Sequence, residues 1–459
     1  MVSDIYYRLK CIVARLSVYF SGFSQYFWCV FTRFCNNFCI GRSVQRNFLT
    51  YIDWFIFILL ISKFMGKVSV SDLFSLLPDD LLDNLSQSTD VDKWVSKLPG
   101  KLFIKLLLYS VLNNERLSLR EISSEMSNPI FQSFSSEMVE QMAGWTGIRE
   151  RLRHIKLPFI EQVYEHFFAE AHALYGEKKL LDYHIKRYDS TLIKVFGHLL
   201  QGMKVGNTSK NKFQVKLTTE HTDGFGLRVS FHQDQAHLSE ETALQEQINL
   251  GKHSSQDIIV FDNGLKGRRK FKDFDEASIQ FVTNIGKKPR YQVNRPHQLL
   301  DRHHPDLDFI QDSVVQLFER GQPTNSMEHE FRLIEFRVKE TGKHLFILSN
   351  LWDLPAEVVA QVYLMRWDIE VIFRFLKQEM NLTHFVCNDL NAIKVMIYVK
   401  LIAAMMILIF KQKNAIKTYK RAKKLFLEDI YLLIIVEMME SPDLSQWFLK
   451  KAKKRLKRE

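Results

Sequence analysis

The amino-acid sequence predicts a mixed α/β chain whose front section is all-helical. Three observations carry that prediction. Apolar residues recur at helical spacing from about Ser69 to residue 178, and at His184 the spacing changes to the two-residue alternation of strands. Beyond His184 the segments run strand, strand, strand, helix, strand, helix, strand, which is the order of an α/β sheet domain.

Residues 1–64 differ from all that follows. They hold Cys11, Cys29, Cys35 and Cys39, many phenylalanines, and Asp4 and Asp53 as their acids. Arg8, Lys10 and Arg15 precede apolar stretches, but no small-residue cleavage site follows, and Trp54 to Ile61 is too short to cross a bilayer. Cys35 and Cys39 have no second ligand pair, which argues against zinc. The segment reads as an atypical extension outside the native protein, with Met65 as the natural start, or else as a membrane-surface anchor.

Residues 65–178 read as a helical domain. An acidic turn at Pro78-Asp79-Asp80 leads into a helix through Leu81 and Leu82, and KLFIKLLLYSVL after Pro99-Gly100 has the character of a buried helix. Ser118-Leu119-Arg120-Glu121 has the spacing of a capping box. Further helical stretches include Met138, Met142 and Trp145, then Phe159, Val163 and Phe167.

Residues 179–284 supply strands at His184 to Val195, Lys212 to Thr218, Phe225 to Phe231, Asp257 to Phe261 and Ile279 to Thr283, with a helix at Ser239 to Leu250 and a turn at Asp223-Gly224. That order is compatible with a ribonuclease-H-like α/β core. Two acids sit where such a sheet binds ligands: Asp189 within Tyr188-Asp189-Ser190-Thr191, and Asp262 directly after DIIVF. Singly, Asp189 reads equally as an outward strand residue and Asp262 as a turn acid before Asn-Gly. Residues 285–343 interrupt the core, with alternation around Phe331, Leu333 and Phe336. His303, His304 and His329, with Glu328 and Glu330, lack a metal spacing and read as surface polar groups. HLFILS at His344 returns to the core, which runs over 344–412. The apolar run Val395 to Phe410, broken by Lys400, reads as a core helix rather than a short membrane span. Residues 413–459 form a helical basic C-terminal region.

Composition narrows the partners. Over 459 residues, 63 Lys and Arg against 52 Asp and Glu give a net charge of +11, which favours nucleic acid or an anionic membrane surface. With Cys387 the lone cysteine after residue 39, a disulfide framework is excluded and a reducing cytoplasm fits. Gly202, Gly206, Gly224 and Gly226 have neither phosphate-loop nor dinucleotide spacing, so no nucleotide cofactor is implied.

The richest segment is YLMRWDIEVIFRFLK. At 100° per residue, Tyr363, Arg366, Glu370 and Lys377 project within about 60° of one another on a single helix. One carboxylate flanked by two cations and a phenol suits a metal beside a phosphodiester, and a solvated salt-bridge stripe is the alternative. The spacing Y-x2-R-x3-E-x6-K resembles the Tyr-Arg-Glu-Lys signature of cut-and-paste insertion-sequence transposases of the DDE class, the group called insertion-sequence family four. The resemblance covers roughly Asp182 to Phe410 and is best from Leu348 to Lys377. It implies an α/β, ribonuclease-H-like catalytic core with a β-rich insertion that covers the centre, preceded by an all-helical N-terminal domain for terminal DNA.

That resemblance makes Asp189, Asp262 and Glu370 the catalytic and metal-binding triad, with two Mg2+ ions that Mn2+ can replace. Tyr363, Arg366 and Lys377 become DNA-binding residues. Trp367 reads as a base-stacking platform or as a wedge between helix and sheet. The implied partners are double-stranded DNA at the element ends, target DNA and a second copy in the DNA complex. The implied activity is metal-dependent strand cleavage and strand transfer at terminal inverted repeats. A catalytically inactive DNA-binding regulator or decayed copy is the alternative, and a membrane-associated nuclease a third reading. Asn284 departs from the pattern, because many relatives place a basic residue there.

Overall fold

The computed structural model describes residues 68–440, apart from 115, 136–141, 177–182, 195–202, 205–212, 252, 266, 287–289, 298–303 and 319–325. The extension 1–64, the basic tail from Lys450, Met138 and His303 lie outside the described residues.

Helices α1 (Val70–Phe74), α2 (Asp79–Thr89), α3 (Gly100–Asn113), α4 (Leu119–Glu125), α5 (Pro129–Phe134), α6 (Trp145–His154) and α7 (Leu157–Tyr175) come first. Ser118 caps α4 by accepting from the Glu121 amide at 3.2 Å. A full capping box stands at α1, where Ser69 and Asp72 satisfy each other's amides at 3.1 and 2.8 Å. Sequence reading passed over it because an Asp takes the place of the usual Glu or Gln. Of the helical stretch expected to include Met138, Met142 and Trp145, Met142 is exposed and non-helical and a helix begins at Trp145.

The sheet holds β1 (His184–Lys194), β2 (Met203–Lys204), β3 (Phe213–Thr222), β4 (Gly226–His232), β5 (Asp257–Phe261), β6 (Gln280–Asn284), β7 (Tyr291–Pro296), β8 (Leu307–Phe318), β9 (Ser326–Val338) and β10 (His344–Ser349). Its order is β2-β3-β1-β5-β6-β10-β9-β8-β7, with β4 beside β3. β1, β5 and β6 run parallel, and the other pairings are antiparallel. Such parallel strands are buried on both faces, and all five residues of β5 are buried.

Helices cover both faces of this centre. On one side Ile258, Val260, Val282 and Ile347 pack against Val359 and Val362 of α10 (Ala356–Leu364). On the other, Tyr188, Ile259, Phe261 and Phe281 meet α8 (Glu240–Leu250) and α9 (Arg269–Glu276). A third core joins α1 to α7 with one face of α11 (Trp367–Gln378), with α12 (Leu390–Lys413) and with α13 (Tyr419–Glu440). Each fully buried Leu, Ile or Phe adds about 1.5–3 kcal/mol to that association. Among the described residues α12 is the one helix long and apolar enough to cross a membrane, and 94% of its apolar window is buried in protein. Its Lys400 is buried too and donates to the Asn381 and His384 carbonyls, each at 2.6 Å.

Residues 291–338 extend the sheet through β10 with three long antiparallel strands. They are pinned by Arg332, fully buried, which grips Asp312 with two bonds of 3.0 and 2.8 Å and also donates to the Leu351 carbonyl. In the same region His304 accepts from the Asp306 and Leu307 amides, His329 pairs with Asp275 at 2.8 Å, and Glu330 holds Arg295 by two 2.8 Å bonds. These groups serve separate local contacts.

Candidate active site

Parallel pairing brings the first two acids together. Tyr188 of β1 lies opposite Phe261 of β5, so Asp189 and Asp262 are the next residues on adjacent strands. Neighbouring strands lie about 4.8 Å apart, which puts the two carboxylates at one end of the sheet. Asp189 is half-buried and accepts from the Ser190 amide at 2.7 Å. Asp262 accepts from the Asn263 amide at 2.9 Å and from the Tyr363 hydroxyl at 3.2 Å.

The single helix expected over residues 363–377 is two helices. α10 ends at Leu364 and α11 begins at Trp367, with Met365 and Arg366 between them. The bend lets each half reach its own core: Val359, Val362 and Tyr363 pack on the sheet, while Ile369, Ile372 and Phe373 pack among the helices. Arg187 holds the junction. Its buried guanidinium donates through Nε to the Met365 carbonyl at 2.7 Å and sits 3.4 Å from Asp368.

Arg366 faces inward at that bend and is 6% exposed. Its Nη2 is 2.7 Å from Glu370 Oε1 and 3.9 Å from Asp262 Oδ2, so one cation ties the second acid to the third. Asp189 and Glu370 line one open cavity of about 360 Å3 with Ser190, Thr191, Arg374 and Lys377. Lys377 reaches it across Phe373, its Nζ 5.7 Å from the ring centre. Trp367 is 53% exposed and does not line that cavity.

Burial pushes the Asp189 carboxyl up to about 6; Glu240 and Glu370 push the same way, and the Ser190 amide and Arg366 oppose them. Burial, then the Asp262 charge, raises the Tyr363 phenol to about 12. Burial works against the Arg366 charge, but Asp262 and Glu370 outweigh it and hold the guanidinium above its ordinary value.

Four contributors escaped the sequence reading or changed role. Arg187 sits in a strand where a buried cation has no sequence signature. Glu240, at the first turn of α8, acts on Asp189, and its carboxyl carbon lies 3.4 Å from where a Cβ on Gly264 would stand. Arg374 shares the cavity one turn after Glu370. Asn284, noted as a departure, lies near enough to the Tyr363 phenol to oppose the rise in its pKa. Tyr363 itself is 3% exposed, because its ring is part of the sheet core.

Arg366 links Asp262 to Glu370, and Asp189 shares a cavity with Glu370; carboxylates are the hard oxygen donors that suit Mg2+ or Mn2+, though among the described residues the three do not close to within 4.8 Å of one another. The upward push on Asp189 from Glu240 and Glu370 is the repulsion that a divalent ion would relieve.

Comparison with known proteins agrees with this chemistry. Residues 185–406 match the family described as transposase DDE domain. A provisionally named transposase, y4zB, of Sinorhizobium fredii is 26% identical over 157 residues, 34% of this chain and 43% of that one. A probable transposase for insertion sequence element IS5377 of Geobacillus stearothermophilus is 25% identical over 191 residues, 41% of this chain and 47% of its own. The chain thus spans less than half the length of each of these relatives. The stretch that carries all three acids is similar to the transposase DDE domain, and both relatives bear a transposase name.

Proposed function

We propose that this protein is the transposase of an insertion sequence of the Tyr-Arg-Glu-Lys type, cutting and joining DNA at the element's terminal inverted repeats. The observation that carries the reading is that Arg366 links Asp262 to Glu370 while Asp189 shares a cavity with Glu370, inside the stretch similar to a transposase DDE domain.

In this reading β1, β5 and β6 with their helices are a ribonuclease-H-like core, and residues 291–338 are its β-rich insertion. Asp189, Asp262 and Glu370 would together hold the two Mg2+ ions. When bound, such ions activate the attacking hydroxyl and stabilise the departing oxygen in displacement at phosphorus. The chain's own residues set the stage. Tyr363 holds Asp262 by its hydroxyl, and Arg187 holds the junction from which Glu370 projects. Arg366 offers a guanidinium that can turn from Glu370 to a phosphate, and Lys377 supplies a second cation at the cavity. Exposed Trp367 is placed to stack on a displaced base. The helical section 70–175 would take the terminal DNA, a second copy would complete the complex, and the cytoplasm would be its compartment.

The test is strand cleavage of a plasmid carrying the DNA that flanks this reading frame. The full chain should nick or cut at the element ends with Mg2+ or Mn2+, and Glu370→Gln should bind the same ends without cutting. Specific binding without cutting by the unaltered chain would instead indicate the inactive regulator.

A further inference from the structure

A second group of ligating side chains stands apart from the acids. His172 lies in the last turn of α7, His184 opens β1, and Asp223 forms the β3–β4 turn. His184 is five positions before Asp189, about 17 Å along the strand at 3.3 Å per residue. We propose that His172, His184 and Asp223 bind a zinc ion that fastens the helical section to the end of the sheet where β1 begins.

The geometry favours it. His172 Nε2 is 2.8 Å from Asp223 Oδ2, and His184 Nδ1 is 3.4 Å from Asp223 Oδ1. All three candidate ligand atoms lie within 4.8 Å of one another. Donors on a tetrahedral ion with bonds of about 2.0–2.1 Å are about 3.3 Å apart, so small rotations seat all three. Two imidazoles and one carboxylate suit zinc, with a fourth position left for water, whereas magnesium prefers an all-oxygen set.

Charge accounting points the same way. The Asp223 side chain is 2% exposed, and its backbone is fixed at φ +53° beside Gly224 at φ +81°. A buried carboxylate needs a cation nearby. The other cations felt here have partners of their own: Arg187 is 3.4 Å from Asp368 and donates to the Met365 carbonyl, Lys186 pairs with Asp257 at 2.9 Å, and Arg228 is 3.4 Å from Glu165 and lies over Phe168. That leaves Asp223 to the two imidazoles and what they share. Gly176, just after α7, lets the chain pass close, since a Cβ there would lie 3.4 Å from Asp223 Oδ2 and 2.4 Å from the His172 carbonyl. His232, His237 and Glu246 form another donor group, but one that ties only β4 to the neighbouring α8. It serves as an internal control.

The experiment uses the full chain, stripped with chelator and returned to buffer containing Mg2+, and titrates it with zinc and separately with cobalt. The proposal expects the visible absorption of tetrahedral cobalt and a melting temperature raised by zinc. His184→Ala should lower zinc affinity by about 100-fold or more, beyond the loss caused by removing an outer partner of a ligand. His237→Ala and Asp262→Asn should keep the unaltered affinity. Should His184→Ala fail to fold, His172→Gln at a partly exposed position gives the same reading. An octahedral cobalt spectrum, or affinity lost in His237→Ala or Asp262→Asn but kept in both His172 and His184 variants, overturns the proposal. So does a zinc-insensitive melting temperature that falls from pH 5 to 8, which would show a protonated His172 as the partner of Asp223.

Discussion

Replacing Asp189 with Asn should make the metal-free protein more stable while abolishing strand cleavage. The carboxyl is raised from 3.8 to about 6, mainly by burial, with Glu240 and Glu370 adding repulsion. A group whose folded pKa lies above its unfolded one favours the fold fully only below the unfolded pKa, and loses that contribution as pH rises through the folded value. For Asp189 the loss runs from about pH 4 to about pH 6, and at neutral pH it amounts to about 3 kcal/mol. Asn is isosteric, and its Oδ1 can still accept from the Ser190 amide, so the native bond of 2.7 Å survives. Urea unfolding with chelator at pH 4, 5, 6 and 7.5 reads the effect. The variant should match the unaltered protein at pH 4 and exceed it by up to about 3 kcal/mol at pH 7.5. Millimolar Mg2+ should close the gap by stabilising only the unaltered chain. A variant that is less stable at pH 7.5, or a difference that does not vary with pH, would refute the argument that these acids are mutually strained.

Three further outcomes follow from the same contacts. Tyr363→Phe removes the 3.2 Å bond to Asp262 and should cost about 1 kcal/mol of stability, while raising the Mg2+ concentration needed for cleavage and leaving affinity for element-end DNA unchanged; weakened DNA binding would show that the hydroxyl contacts DNA directly. Arg187→Met removes one of the two donors to the Met365 carbonyl, the Asp368 amide being the other, and should destabilise by about 1 kcal/mol in urea, with a lower cleavage rate that Arg187→Lys restores only in part. Lys400, lowered to about 7 by burial, contributes stability above its unfolded pKa that is lost as pH falls to about 7. Between pH 7 and 9 the protein should therefore gain about 2 kcal/mol from this group, and Lys400→Met should remove that slope in unfolding experiments.

Much of this site can be read directly from the chain because local pattern and tertiary placement coincide. DIIVF is a strand with an acid at its end whatever packs around it, and the alternation of HIKRYDST puts Asp189 on a neighbouring strand. α12 was legible for a similar reason, since eighteen of its residues are buried and the helix is apolar all round. The break at Met365-Arg366 was not. Nothing in YLMRWDIE disfavours helix, and its two halves diverge because they answer to different cores. Arg187 was missed for a related reason. Its partner Met365 lies 178 positions away along the chain, and no spacing rule reaches that far. β8 was missed because Gln311, Asp312 and Ser313 interrupt its apolar alternation; Asp312 is buried there only because Arg332 answers it.

The division into cores has a consequence for how the site is assembled. Asp189 and Asp262 belong to the sheet, but Glu370 rides on α11, whose apolar face is buried with α1 to α7, α12 and α13 in a core that reaches the sheet through Val215, Leu217 and Leu227 of β3 and β4. The third acid therefore reaches the other two only if the helical section and the sheet are held in fixed relation. Arg366 and Arg187 hold it at the junction itself, the first by its contacts to Glu370 and Asp262, the second by gripping Met365 and Asp368. Both clamps are cationic and buried while the carboxylates they hold are partly exposed, so losing either should cost about 1 kcal/mol per lost bond and act mainly on geometry. The His172–His184–Asp223 cluster lies on the same boundary, where α7 meets β1 and the β3–β4 turn. Loosening that cluster should lower cleavage without touching any group at the cavity, and the loss should appear at sub-saturating Mg2+ before it appears at saturation.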